Sequence, residues 1–124
     1  MYNSTVPAET AYDLFRRGTA LLGEGHPHQA AIALSRAKLI EPEKASIREA
    51  LGRALYQSGR HRGARREFAK TVQLDPSSDY AHFALALSCE RTGERVRALA
   101  HAKLAAALHP GVEEYERMLR RLDA

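Results

Sequence analysis

The side chains that most often bind metals or act as nucleophiles are few in this sequence and poorly spaced for either role. The histidines are His26, His28, His61, His82, His101 and His109, and the single cysteine is Cys89. A structural zinc site uses four ligands at short, regular spacings. The sequence has no second cysteine and no H-E-x-x-H motif. We therefore expect no metal ion, and we interpret the histidines as surface and turn residues.

Cys89 and the glycine-rich segment 23–25 are the remaining candidates for catalysis. Cys89 lies on an apolar helical stripe, which favours a buried, unreactive thiol over a nucleophile. The segment GEG lacks the lysine and the serine or threonine that follow in a phosphate-binding loop. We therefore predict no catalytic residue and no cofactor, and we expect the protein not to be an enzyme.

The densest positive charge lies in RHRGARREFAK, residues 60–70, which contains Arg60, Arg62, Arg65, Arg66 and Lys70. Such a cluster could bind phosphates or an acidic protein, so an enzyme or a nucleic-acid binder that uses it stays an alternative. Glu67 is interleaved, however, and no aromatic ladder for stacking bases accompanies the cluster. The formal net charge of the chain is only +4. We favour the solvated outer face of a helix and expect no nucleic-acid partner.

The composition predicts one helical domain spanning residues 1–124. Hydrophobic residues make up 44% of the chain, with leucine and alanine dominant and β-branched residues few, which favours helices over strands. A single cysteine permits no internal disulfide, and the N-terminus does not resemble a signal peptide. No apolar run approaches the length of about 18 residues that a membrane span requires. We therefore expect a cytoplasmic protein without a membrane partner.

Glycine and proline divide the chain into repeats of 34 residues. Pro42, Pro76 and Pro110 are each 34 residues apart, and Gly25, Gly59 and Gly93 keep the same spacing. Glycine interrupts one helical pattern and proline ends the next, so each unit should contain two helices joined by a tight turn. The pattern predicts helices over about 8–23, 27–39, 43–58, 61–74, 78–92 and 95–108. A seventh helix should follow Pro110, with apolar residues at Tyr115, Met118, Leu119 and Leu122.

The repeat resembles that of the tetratricopeptide repeat family, whose period is 34 residues. In the middle unit Leu51 and Gly52 match the family's L-G, Ala64 and Phe68 match its A-x₃-F, and Pro76 closes the unit; Arg48 replaces the usual tryptophan. Small Gly52 would let the two helices approach closely. The resemblance implies an all-α fold, a right-handed α-solenoid of three repeats over about 11–44, 45–78 and 79–112. A capping helix over about 112–124 would complete it.

The resemblance also implies that the first helices of the units line a concave groove for a peptide or an amphipathic helix of a partner protein. The groove residues would be Tyr12, Phe15, Thr19, Glu49, Arg53, Tyr56, Tyr80, Phe83, Leu87 and Arg91. Aromatic and arginine side chains commonly anchor interfaces, although Phe15 and Phe83 could instead fill the core between helices. The implied function is a non-catalytic adaptor or scaffold. The alternative is a small bacterial-type co-chaperone for secretion or complex assembly, which could dimerise.

The best-known groove of the family is the carboxylate clamp, which holds the acidic C-terminal tail of heat-shock chaperones with basic and amide side chains. The matching positions in this sequence are Phe15, Thr19, Ala50, Tyr80 and Ala84. None of them carries a positive charge that could pair with a carboxylate. The sequence therefore favours a more apolar ligand, with some acidic character to meet Arg53 and Arg91.

Overall fold

A computed structural model describes residues 9–124, and this part of the chain forms seven α-helices and no strand. The helices are α1 Ala11–Gly23, α2 Pro27–Ile40, α3 Ala45–Gln57, α4 His61–Leu74, α5 Asp79–Arg91, α6 Arg95–Leu108 and α7 Glu113–Leu122. Each helix packs mainly on its neighbours in sequence, so the chain stacks in order as a solenoid. The predicted all-α architecture, with three helix pairs and a seventh helix, is confirmed. The predicted start of the first helix near residue 8 lies outside the described residues.

The turn inside each pair depends on a glycine in the left-handed region. Gly25, Gly59 and Gly93 have φ angles of +82°, +80° and +81°. In the first turn the N–H of Gly25 bonds to the carbonyl of Leu22, and the N–H of His26 bonds to that of Leu21 at 2.8 Å. This is the Schellman pattern, which satisfies the last carbonyls of a helix while the chain reverses. The same two bonds recur at the other two glycines.

The connections between pairs depend on the three prolines. The helices α2, α4 and α6 each end two residues before a proline, because proline disfavours helical geometry in the residue that precedes it. After Pro76, the Ser78 hydroxyl accepts a hydrogen bond from the N–H of Ala81 and caps α5. After Pro42 the turn extends to Lys44, so α3 begins at Ala45 and not near residue 43 as predicted.

Small residues bring the two helices of a pair close together. A methyl group on Gly52 would lie 2.6 Å from Cε1 of Phe68, and one on Gly18 would lie 2.5 Å from Cγ of Leu34. In the third pair Ala86 and Ala102 are both fully buried. The helix α7 then closes the core of this pair with Tyr115, Met118 and Leu122, which are buried as their spacing predicted, while Leu119, the fourth residue of the predicted stripe, is only partly buried.

A buried carboxylate in α4 pairs with two cations from α2 and α3. This arrangement corrects the expectation that residues 60–70 form only a solvated helix face. Glu67 does not lie on a solvated face of α4; it is only 7% exposed. Its carboxylate accepts hydrogen bonds from Lys38 Nζ at 2.9 Å and from Arg48 Nη1 at 3.1 Å. Arg48 Nε also donates to the carbonyl of Pro42 at 2.8 Å. The arginine that replaces the family's tryptophan therefore ties α3 to α4 and to the preceding turn.

Candidate functional site

Three surface hollows follow one another along the first helices of the repeats. Each hollow lies between two successive first helices: α1 and α3, α3 and α5, and α5 and α7. Phe15, Glu49, Phe83 and Arg117 are equivalent positions at the 34-residue period, and all of them except Glu49 line a hollow. The middle and third hollows share Leu87, and we call the row of three hollows the groove.

The first hollow lies at the N-terminal end of the groove and has a volume of about 180 Å³. Its apolar surface comes from Tyr12, Phe15 and the buried Ile47, and Glu41 and Lys44 lie at its edge. The Tyr12 ring is 65% exposed, and the guanidinium of Arg16 lies 5.7 Å from the ring centre. Phe15 also packs against the core. It therefore serves both as core packing and as a wall of the hollow.

The middle hollow is narrower, at about 80 Å³, and combines aromatic and cationic side chains. It is lined by Arg53, Tyr56, Gln57, Phe68, Tyr80, Ala84 and Leu87. Among residues 9–124 no carboxylate lies within ion-pair distance of Arg53, although its charge favours the ionised form of Glu49. Burial raises the pKa of the Tyr80 hydroxyl, an effect that the charge of Arg53 opposes. This hollow can therefore bind an apolar group of a ligand, and the guanidinium of Arg53 lies in its wall without an ion-pair partner.

The third hollow has a volume of about 210 Å³ and is shared between α5 and α7. It is lined by Phe83, Leu87, Glu114, Arg117, Met118 and Arg121. Phe83 also packs against Tyr115, with ring centres 4.9 Å apart, so it contributes to the core as well as to the hollow. Arg121 donates two hydrogen bonds to Glu90, at 2.9 and 2.8 Å, and these lower the pKa of Glu90. Arg121 is therefore already held within the chain.

The remaining predicted groove residues lie near the hollows without lining them. Thr19 donates its hydroxyl hydrogen bond to the carbonyl of Arg16 in its own helix. Burial raises the pKa of Glu49, which the positive charge of Arg53 partly offsets. Arg91 Nε donates to the Tyr56 hydroxyl at 3.3 Å, so that its terminal nitrogens stay available to a ligand. None of these three residues therefore forms part of the surface of a hollow.

The sequence reasoning missed the part that α7 plays in the groove. Seven of the ten predicted residues line a hollow, and their role in binding stays a prediction. The sequence predicts α7 only as a capping helix, whereas Arg117, Met118 and Arg121 of this helix line the third hollow. A signal for them was present, because adding one more period of 34 to residues 83 and 87 gives residues 117 and 121.

A family model described as tetratricopeptide repeat matches residues 15–79 and again residues 49–113. The two matches together span most of the chain.

The chain belongs to the tetratricopeptide repeat family.

Solved tetratricopeptide repeat structures share the fold at low sequence identity. The Yersinia enterocolitica type III secretion chaperone SycD, in complex with a peptide of the translocator YopD, has a TM-score of 0.83 and 16% identity, with 97% of each chain covered. The second tetratricopeptide repeat domain of human RPAP3, bound to an HSP70 peptide, has a TM-score of 0.86 and 18% identity over 92% of this chain and 95% of that one.

A third similar structure is the tetratricopeptide repeat domain of Sgt2 from Aspergillus fumigatus, with a TM-score of 0.84 and 18% identity. It covers 99% of this chain and 83% of that chain. No curated protein sequence matches the chain. None of the described helices is long and apolar enough to cross a bilayer. Among residues 9–124 no three histidine, cysteine or acidic side chains come together as a metal site would require.

Proposed function

We propose that the protein is a non-catalytic adaptor that binds a peptide or an amphipathic helix of a partner protein along the groove. The observation that carries this proposal is the row of three hollows, each partly apolar and each one repeat from the next. A continuous segment with apolar side chains at intervals would fill such a row. Solenoid proteins commonly use their inner surfaces in this way.

The charges of the groove indicate what should lie between those apolar anchors. Arg53 has no ion-pair partner within the described residues, and Arg91 uses only its Nε on Tyr56. Guanidinium groups bind carboxylates strongly through paired hydrogen bonds. We therefore infer a ligand whose apolar side chains occupy the hollows and whose acidic side chains meet Arg53 and Arg91.

Peptide complexes of similar structures support the proposal, with one restriction. The SycD structure contains a peptide of YopD, and the RPAP3 structure contains the HSP70 peptide SGPTIEEVD. In this chain the positions that match the family's carboxylate clamp hold Phe15, Thr19, Ala50, Tyr80 and Ala84. Since none of these side chains is cationic, we do not extend the binding of an acidic C-terminus to this protein.

A co-chaperone for secretion or complex assembly is the second candidate. The observation in its favour is the likeness to the peptide-bound SycD structure over 97% of each chain. Such a role would be compatible with self-association, which light scattering on the purified chain would measure. The expected location in the cytoplasm also stays a prediction.

A selection of peptides from a random library, followed by affinity measurement, tests the groove. We expect the selected peptides to carry spaced apolar residues and some acidic ones. The double variant Tyr12→Ala with Tyr80→Ala should bind them about tenfold more weakly or worse, since aromatic anchors carry much of an interface's free energy. Both side chains are partly exposed, so the circular dichroism spectrum should not change. The control is Val96→Ala, an exposed residue of α6. Equal affinity of the double variant and the control would refute the groove assignment.

A further inference from the structure

Positive charge at the start of α4 is only partly neutralised by the rest of the protein. Arg65 pairs with Glu94 at 2.6 Å and donates to the Thr92 hydroxyl, and Lys70 pairs with Glu43 at 3.2 Å. The other three basic residues of this stretch are exposed and form no ion pair with any described residue. They are Arg60, Arg62 and Arg66, which we call the arginine band. These guanidinium groups are free to meet carboxylates of another molecule.

An exposed apolar ridge lies on the neighbouring helix α2. Ile32 is 65% exposed and Leu39 is 81% exposed, and both project from α2 although they are large aliphatic side chains. They are seven residues apart, which places them on the same side of a helix about two turns apart. Leaving such side chains in water forgoes the free energy of burying them. The ridge is therefore a surface that gains stability when another molecule covers it.

One residue of the ridge, Ile32, and one of the arginine band, Arg60, line the same cleft. A cleft of about 350 Å³ lies between α2 and the start of α4, and it is lined by His28, Ala31, Ile32, Ser35, Arg36 and Arg60. Apolar contact and a free guanidinium thus face the same space. The cleft belongs to the second helices of the repeats, whereas the groove follows the first helices. A ligand in the cleft would therefore contact none of the residues that line the groove.

We propose that this surface docks an acidic amphipathic helix of a partner protein. Its apolar side would cover Ile32 and Leu39, and carboxylates on its flank would pair with the arginine band. The two turns between Ile32 and Leu39 match the spacing of apolar residues on one face of such a helix. Paired hydrogen bonds between guanidinium and carboxylate would fix its orientation.

Charge and shape favour this occupant over other molecules. Phosphates of a nucleic acid would satisfy the arginines but would leave the apolar ridge uncovered, and the cleft offers a base only the imidazole of His28 to stack on, with no phenylalanine, tyrosine or tryptophan. A second copy of the chain would bring a further net charge of +4 toward a cationic surface. An acidic helix matches both features.

The proposal can be tested with a synthetic helical peptide of about 14 residues, with leucine on one face and glutamate on its flank. The full chain should bind it, with changes in the NMR signals of Ile32 and Leu39. The variants Arg62→Glu with Arg66→Glu, and separately Ile32→Ser, should each lower the affinity about tenfold or more. Lys103→Glu with Arg97→Glu is the matched charge control, because both residues are exposed cations on α6 and the change in net charge is the same. It should change the affinity much less.

Four results would overturn the proposal. The first is equal binding of a peptide in which serine replaces every leucine, since the ridge would then play no part. The second is tighter binding to single-stranded RNA or to phosphatidylserine vesicles than to the peptide. The third is unchanged affinity in the arginine and Ile32 variants. The fourth is loss of peptide binding in Tyr12→Ala with Tyr80→Ala, because the peptide would then occupy the groove.

Discussion

Glu67 is the residue on which the middle of the molecule depends most. Its buried carboxylate is shared between Lys38 of α2 and Arg48 of α3, although the glutamate itself belongs to α4. A buried charge is tolerated only where partners and hydrogen bonds replace the water that it loses. The three side chains therefore hold the first and second repeats in a single arrangement.

Glu67→Ala should destabilise the protein by about 3–5 kcal/mol, because it leaves two cations without their anion in a partly buried place. The measurement is urea unfolding at neutral pH. Glu43→Ala is the matched control. Glu43 also pairs with a lysine, but its side chain is 68% exposed, so we expect a loss of about 0–1 kcal/mol. Equal losses in the two variants would show that the buried pair contributes no more than a surface one.

Gly52 allows a second prediction at the scale of a residue. Replacing it by alanine should lower the stability of the protein, although the same replacement usually raises the stability of a helix. Replacing a glycine in a helix by alanine normally stabilises the helix by about 1 kcal/mol. At Gly52 the new methyl group would meet the ring of Phe68 at 2.6 Å, so we expect a loss of about 1–3 kcal/mol from overpacking. Gly23→Ala is the control, since nothing lies within 4 Å of a methyl group there. A Gly52→Ala variant that melts no lower than the parent would contradict this packing role.

At the scale of helices, the second and third repeats use one polar arrangement at equivalent positions. Arg48 contacts Glu67 and the carbonyl of Pro42. Thirty-four residues further on, His82 Nδ1 lies 3.0 Å from His101 Nδ1, and His82 Nε2 donates to the carbonyl of Pro76 at 2.9 Å. In both repeats, the residue in place of the family's tryptophan therefore joins the first helix to the second and to the preceding turn.

The histidine pair should make the third repeat sensitive to pH. Burial lowers the pKa of His101 below 6.5, and the positive charges of His82 and Arg97 lower it further. When a histidine's pKa is lower in the folded state, the unfolded state binds protons more readily. The resulting stability is complete above pH 6.5 and is lost as the pH falls toward the folded pKa.

We therefore expect the free energy of unfolding to fall between neutral pH and about pH 5, before most carboxylates titrate. In His101→Gln this fall should be smaller, because the ring whose pKa is lowered in the folded state is gone. Urea unfolding of both proteins at several pH values gives the measurement. His26→Gln is the control, since His26 is exposed, lies outside the pair and forms no ion pair within the described residues. An equal pH dependence in His101→Gln and the parent would exclude the pair as its source.

For the molecule as a whole, the sequence predicts the repeats well because the residues that form the turns and end the helices act locally. A glycine that needs positive φ and a proline that ends a helix act through their own backbone, so Gly59 and Pro76 could be placed without knowing their neighbours. Contacts between repeats are different. The burial of Glu67 depends on Lys38, which lies 29 residues away, and no local pattern shows that the two side chains meet. The contribution of α7 to the groove also depends on contacts between elements, because the third hollow forms only where α7 lies beside α5.

The last helix determines whether this short array is stable by itself. Solenoids need end repeats that cover the apolar face of the last unit. Here α7 buries Tyr115, Met118 and Leu122, and the Tyr115 hydroxyl donates to Asp79 at 2.6 Å. Without α7, the core residues around Leu85 would lose this cover. The removed helix also supplies one wall of the third hollow, so stability and binding should both depend on it.

Deleting residues 112–124 should therefore lower the melting temperature strongly and cause self-association through the uncovered face, as light scattering would show.

Tyr115→Phe is the comparison that keeps the apolar cover and removes only the hydrogen bond to Asp79. Its cost should be about 1 kcal/mol, since a single hydrogen bond contributes about that much. Met118→Ala should fall between the two, at about 2–5 kcal/mol, because it leaves a cavity under the helix. If the truncated chain stayed monomeric with an unchanged melting temperature, three repeats would be stable without a cap, and α7 would serve the groove alone.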